Sequence, residues 1–421
     1  LARARSSRSL PLLSLLTLHS TPPGSARRTM SRAADKSLMV PQEKTVNRKG
    51  QTRRKASKAG TSKDREPSKL DGTKAVSGQK TARSVEDANK QAWSKKVLTL
   101  SIKTLSEEFN QKIKRFVDTR RTTICSAKNE EKNRYADVLC LDDTRVVLKG
   151  RKVEDDYIHA NWVQNPDGSR LICTQGPMPE TIEDFWLMAV KEKVTIIIQL
   201  CQFVEGEDEE KCAQYFPTKP DETKTFGPFK VTNLDLLSSP AIEGCVCSYL
   251  EITYEKKKTR MRHCLLSAWP DKCAPVSSDK VLDLWKWLKK NTKVDDPVIV
   301  HCSAGVGRTA TFAAIELAAY KIGKNPNLSL MKVIKEMRSM RYQSVQSHVQ
   351  YLFLHLCMLD LFCSERIIEK YDPEAKFIKD YRRIATRNIS KMAKKGSDNG
   401  KNNKEGGVSN KKVSMLDDDD K

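Results

Sequence analysis

The stretch that most limits the fold is VIVHCSAGVGRTATFAAIELAAY, residues 298–320. It opens on apolar, β-branched residues with no polar alternation, so its strand must be covered on both faces. A loop of small residues follows and runs directly into an apolar helix. VTIIIQLC, at 194–201, has the same character. Strands buried on both faces need helices on both sides of their sheet, which makes the expected class α/β. KVTNLDLL, CVCSYLEITYEKKK and RMRHCLLSAWP suit antiparallel pairing, and DDYIHANWV and RLICTQGP read as further strands, so the sheet is expected to be mixed. Helical spacing is visible in LSEEFNQKIKRFVDTR, in SSDKVLDLWKWLKKNT, over Thr309–Lys321, in LMKVIKEMRSM and in QSHVQYLFLHLCMLDLFC. Thr181 is expected to cap TIEDFWLMAVKEK, with Asp184 three residues on.

These elements place one domain at residues 100–365, with a helical extension over 366–393. The flanks differ. Residues 31–99 are basic and poor in aromatics, and 394–421 are rich in Lys, Asn, Gly and Ser, so both are expected to lack a packed core and stay unstructured. Residues 1–30 read as a translated leader or signal-like segment before Met30. The net charge of +23 favours contact with anions, and the basic N-terminal segment is expected to dock acidic partners. No aromatic platform or zinc-ligand spacing accompanies that charge, so no specific nucleic-acid binding is expected. No apolar run approaches a membrane span. Twelve cysteines without a CxxC pair argue against a disulfide scaffold and for a reducing compartment.

The loop after the 298–300 strand has its own chemistry. A glycine-bearing turn that ends at a helix N-terminus directs backbone N–H groups inward and forms an anion nest. Gly305 and Gly307 are expected to supply the backbone angles, and Arg308 a planar fork for two phosphate oxygens. Without a Lys-Ser/Thr ending this is not a nucleotide phosphate loop. Cys302 lies beneath the anion, where a sulfur makes sense as a nucleophile. An ordinary thiol is mostly protonated at neutral pH. A helix dipole contributes only ~0.3–2 kcal/mol toward ionising one. Loop N–H groups, Arg308, Thr309 and His301 are expected to add the rest.

The segment resembles the signature of the protein tyrosine phosphatases. The resemblance extends over roughly 105–360: KNRYADV, DYIHANWV, TQGPMPETIEDFWLMAV, EKCAQYFP, AWPD and MRSMRYQSVQSHVQYLF follow in the family's order. It implies a highly twisted mixed β-sheet flanked by helices, the phosphotyrosine protein phosphatase-like fold, and a non-receptor, single-domain member of nematode style.

What the resemblance implies for residues is specific. Cys302 attacks phosphorus to give a phosphocysteine, and Arg308 binds the phosphate with the amides of Ser303, Ala304, Gly305, Val306 and Gly307. Asp271 is the general acid, its pKa raised beside a phosphate dianion to give an acidic optimum. His301 supports the thiolate through a hydrogen bond, and Thr309 stabilises sulfur as a leaving group. Tyr135 forms an aromatic wall that makes the pocket deep enough for phosphotyrosine, and Asp137 anchors the substrate backbone. Gln346 and Gln350 position water. Trp269 and Pro270 hinge a flap, Lys211 pairs with the flap aspartate and Arg341 supports the site from behind. Glu205 orients Arg308, with Glu207 as the alternative because VEGEDEEKC is one residue longer than usual.

Departures from the pattern are His159 for Asn, Ala310 for Gly, Gln343 at a position that is small in some members, and Cys273 in WPDKCAP, which is expected to stiffen the flap. No metal or organic cofactor is implied. The expected partners are phosphotyrosine-containing proteins, the expected state a monomer, and the expected location the cytoplasm, with the nucleus as alternative. The competing reading is a catalytically silent phosphotyrosine-binding trap or adaptor, against which the retention of Cys302, Asp271 and Arg308 speaks.

Overall fold

The computed structural model describes residues 73–206 and 208–402, with side chains described over 82–206 and 208–391. Residues 1–72 and 403–421, and with them the leader, most of the basic segment and the end of the low-complexity tail, lie outside the described residues.

A nine-stranded sheet forms the centre, in the order β1-β2-β3-β11-β4-β10-β9-β8-β7. The strands are β1 Arg145–Val147, β2 Tyr157–Gln164, β3 Arg170–Thr174, β4 Ile196–Gln199, β7 Thr223–Phe226, β8 Phe229–Leu237, β9 Cys245–Tyr254, β10 Lys257–Leu266 and β11 Val298–His301. A separate pair, β5 Val204–Glu205 and β6 Glu209–Glu210, is antiparallel. β3, β11, β4 and β10 run parallel, and the outer strands pair antiparallel on both sides. The two runs with no polar alternation are thus the central strands: every residue of β4 and β11 is buried. Their neighbours on both sides satisfy the backbone, and helices cover both faces.

The helices are α1 Thr73–Thr99, α2 Ile102–Lys112, α3 Ile124–Lys128, α4 Ile182–Lys191, α5 Asp279–Asn291, α6 Arg308–Lys324, α7 Leu330–Met340, α8 His348–Ser364 and α9 Lys376–Asn402. α6 and α8 are buried along most of their length, which explains why neither shows a strong polar stripe.

Four expectations need correction. Residues 73–99 are not unstructured: α1 packs on the domain, with Trp93 and Val97 buried. Much of its anchoring is polar, through Asn89 to the Gly323 carbonyl, Gln91 to Ile367 and the Trp93 indole to Leu328, and such partners leave no apolar period in the sequence. The extension does not begin at 366 and end at 393; α9 starts at Lys376 and runs to Asn402, seated by Phe377, Ile378, Tyr381 and Ala385. Thr181 stands at the N-cap of α4 without capping it, since its Oγ1 accepts from the Met178 N–H, and Asp184 pairs with Lys132 and Arg151. Finally, Cys247 and Cys264 face each other across β9 and β10 and are joined by a disulfide, while the other ten cysteines are free.

Candidate active site

The site lies where the parallel strands end. β11 delivers His301 and then the loop 302–307, which closes into α6 at Arg308. The loop's carbonyls face outward, and each is taken. Cys302 O accepts from His301 Nδ1 at 3.2 Å, and Ser303 O from the Gly176 N–H at 2.8 Å. Ala304 O and Gly305 O accept from Arg341 at 3.1 and 3.2 Å, and Val306 O from the Val345 N–H at 2.8 Å. Fixing the carbonyls outward turns the N–H groups toward the loop's centre, the arrangement of an anion nest. The Gly305 N–H points at the Cys302 sulfur, 3.2 Å away.

Gly305 holds φ +71°, and a side chain there would run into the Thr174 carbonyl, so glycine is required on two grounds. Gly307 corrects the expectation that it, too, supplies an unusual angle. Its φ is −89°, and what it supplies is space: a Cβ would lie 2.7 Å from Gln346 Oε1 and 3.0 Å from Gln350 Nε2. Both glutamines therefore abut the loop, and the Gln346 N–H donates to Gln350 Oε1 at 3.0 Å.

Arg308 is buried to 1% and shared three ways. Nη1 donates to Glu205 Oε1 at 2.6 Å and to the Trp269 carbonyl at 3.0 Å, and Nη2 to Asp271 Oδ1 at 2.9 Å. Glu205, rather than Glu207, is the acid on Arg308 among the described residues; Glu207 lies outside them. Lys211, also buried, binds the other Asp271 oxygen at 2.9 Å and Glu209 at 2.5 Å. Burial by itself would push Asp271 up, but Arg308 and Lys211 outweigh it and hold the carboxyl at about 2. Between these two cations the Asp271 carboxyl is ionised.

His301 does not reach the sulfur. Its Nδ1–H donates to the Cys302 carbonyl, and its Nε2 accepts from the Tyr215 hydroxyl at 2.8 Å. His263 Nε2 contacts the same hydroxyl at 2.6 Å. Burial holds His301 down at about 4, so it is neutral, and these partners set its tautomer. Thr309 also departs from expectation: its hydroxyl is buried with no hydrogen-bond partner and makes no bond to Cys302.

Around the mouth, Tyr135 is buried against the loop, its hydroxyl 2.8 Å from Ser303 Oγ, and it packs with Val138, Ala304 and Val306. Burial pushes its phenol up. Asp137 is half-buried beside it, and its carbonyl accepts from Gln343 Nε2 at 3.1 Å. Trp269 is buried at the flap's base with its indole donating to Cys273 O, while Pro270 and Asp271 are half-buried. Cys273 is itself buried, and the left-handed angle in the flap falls on Lys272, φ +53°. His159 fits the Asn position as a neutral ring, held down at about 3 by burial and by Arg341; Nε2 donates to Val138 O and Nδ1 accepts from Arg341.

Three positioning residues were missed. Arg134 ties its loop to the Gly176 and Pro177 carbonyls. Tyr215 bridges His301 and His263. Both lie inside quoted motifs, KNRY and CAQYFP, so a reading of those motifs residue by residue had access to them. Arg338 gathers five carbonyls, Ile113, Lys114, Phe116, Ser344 and Val345, and burial without a carboxylate pushes it down to about 10. It too lies inside a quoted motif, MRSMRYQSVQSHVQYLF.

A sulfur in an anion nest, an arginine fork on its rim and a carboxylate across the mouth together make a site built to receive an anion. Comparison with known proteins agrees. Residues 129–360 match the model of the family described as protein-tyrosine phosphatase. Human tyrosine-protein phosphatase non-receptor type 7 is 35% identical over 262 residues, covering 61% of this chain and 70% of the relative. Mouse non-receptor type 18 is 33% identical over 290 residues, covering 66% and 62%. The crystal structure of the catalytic domain of human non-receptor type 18 superposes with a TM-score of 0.53 at 30% identity, covering 62% of this chain and 94% of that one. The chain belongs to the protein-tyrosine phosphatase family, hydrolases that act on phosphotyrosine. No helix among the described residues is long and apolar enough to cross a membrane.

Proposed function

We propose that the chain dephosphorylates phosphotyrosine in proteins through a phosphocysteine intermediate. One observation carries the reading: the same short loop aims the Gly305 N–H at the Cys302 sulfur and delivers a buried Arg308 whose outer nitrogen faces Asp271. A substrate dianion entering the nest competes with Asp271 for Arg308. Once displaced, the carboxylate loses a cation and gains an anionic neighbour, and both changes raise its pKa toward the value an acid catalyst needs.

The steps balance. The Cys302 thiolate forms a bond to phosphorus while the bond from phosphorus to the phenol oxygen breaks, and Asp271 gives that oxygen its proton. Water, held by Gln346 and Gln350, then attacks phosphorus, Asp271 takes its proton, and the sulfur leaves as thiolate with release of phosphate. Arg308 and the loop N–H groups hold the equatorial oxygens throughout, a fixed electrostatic frame. Tyr135 lines the mouth and sets the depth that favours phosphotyrosine over phosphoserine. A related enzyme, type 18, has been solved in complex with HER2 phosphopeptides, which supports a phosphotyrosine peptide as ligand. Phosphotyrosine proteins of the cytoplasm or nucleus are the proposed partners.

Hydrolysis of matched phosphotyrosine and phosphoserine peptides by wild type and Cys302→Ser tests this. Turnover of phosphotyrosine alone, lost in the variant by about 10⁴-fold or more, is expected. Binding of the phosphotyrosine peptide without turnover by wild type would sink it in favour of a trap.

A further inference from the structure

Ser347 has no role in the account above. It stands at the N-cap of α8, φ −123° and ψ 153°, where its Oγ accepts from the Gln350 N–H at 3.3 Å. That bond uses an oxygen lone pair. The hydroxyl hydrogen is directed elsewhere, to the Lys272 carbonyl of the flap at 3.3 Å. Lys272 follows Asp271 and holds a left-handed φ of +53°, a conformation a lysine keeps only where its surroundings fix it.

One hydroxyl thus joins the first turn of the helix bearing Gln350, just after Gln346, to the strained turn bearing the acid. We infer that Ser347 is a latch: a positioning residue that holds the flap over the loop, so that Asp271, once displaced from Arg308 by a substrate, stays in register with Gln346 and Gln350. The inference rests on Asp271 acting as general acid. A helix cap needs only an acceptor; the latch needs a donor as well, and this separates the two roles.

The test uses the full chain with Ser347→Ala, Ser347→Asp and Ser347→Thr. Three quantities are measured: Tm, kcat/KM on a phosphotyrosine peptide, and kcat/KM on an aryl phosphate whose phenol leaves without protonation. Ser347→Ala is expected to lower Tm and to cut kcat/KM on the peptide about three- to tenfold, the loss of one neutral hydrogen bond. Ser347→Asp, a capping acceptor with no hydrogen to donate when ionised, restores Tm but not kcat/KM. Ser347→Thr restores both. The deficit in Ser347→Ala and Ser347→Asp shrinks on the activated ester, because that leaving group does not need the acid. Recovery of kcat/KM in Ser347→Asp, a wild-type rate in Ser347→Ala, or an equal deficit on both esters overturns the latch and leaves a cap. If wild type turns over neither ester, the proposed function fails, and the latch with it.

Discussion

The loop 302–308 and the flap 269–275 meet at one guanidinium, yet they are built in opposite ways. Every residue from His301 to Ile315 is buried, and four of the loop's carbonyls are held by donors at Gly176, Arg341 and Val345, from two other segments. Burial holds the histidine in that scaffold, His301, neutral, with its pKa down at about 4. The flap alternates buried anchors, Trp269 and Cys273, with half-buried Pro270, Asp271 and Lys272. Its acid is held by two ion pairs, and its carbonyls at Trp269, Lys272 and Pro275 accept from Arg308 and from the hydroxyls of Ser347 and Tyr381. On the proposed mechanism, the anion nest serves because it needs no reorganisation, and the acid because it can be released and recaptured.

Breaking the rigid half should cost most. Gly305→Ala faces both a forbidden angle and the Thr174 carbonyl. The expected outcome is a loss of about 10³-fold or more in kcat/KM with a lowered Tm; near-normal turnover would show that the loop is not fixed as described. Asp271→Asn breaks the movable half alone. Its kcat should fall about 10²–10⁴-fold and its basic pH limb should vanish, while phosphate binding persists. A retained basic limb in the pH–rate profile would assign that limb to another group.

Lys211→Met sharpens the comparison by moving one ion pair. Asp271 acts as an acid only when protonated, and Lys211 helps hold its pKa at about 2. Removing that cation raises the pKa, so the basic limb of kcat should move to higher pH, with kcat itself changed less than about tenfold. The same pairing bears on stability. A folded pKa below the ordinary 3.8 means that Asp271 stabilises the fold above that value by about 2 kcal/mol and loses this as pH falls through about 2. Thermal unfolding of wild type and Lys211→Met as pH falls from above the ordinary 3.8 toward about 2 reads it out. Cys273→Gly should matter least. Its buried side chain is worth about 1–2 kcal/mol, and its backbone needs no special angle, so kcat should stay within about threefold of wild type. A large rise in kcat would mean that Cys273 does stiffen the flap.

Legibility followed the range of the forces involved. The central strands, the 298–320 unit and Cys302, Arg308 and Asp271 were readable, because apolar runs and motif spacing are written locally. The role of Gly305 was readable for the same reason, and that of Gly307 was misread because its constraint is a neighbour's amide rather than its own backbone. Helix α1 was invisible: it is anchored by Asn89, Gln91 and Trp93 on carbonyls contributed by distant segments. Arg338 stands in a quoted motif, yet its partners, carbonyls from both ends of the domain, were invisible on the same ground.

By itself the sequence determined the α/β class, the order of strand, nest and helix, and the residue types that meet a phosphate, since these depend on periodicity and on the conformational limits of single residues. Only the tertiary structure decided which donors turn the nest's carbonyls outward, that His301 acts through a carbonyl rather than the sulfur, and that Asp271 rests ionised between Arg308 and Lys211. Those outcomes depend on burial and on charges that come together only in the fold, where a low dielectric makes each partner's position decisive.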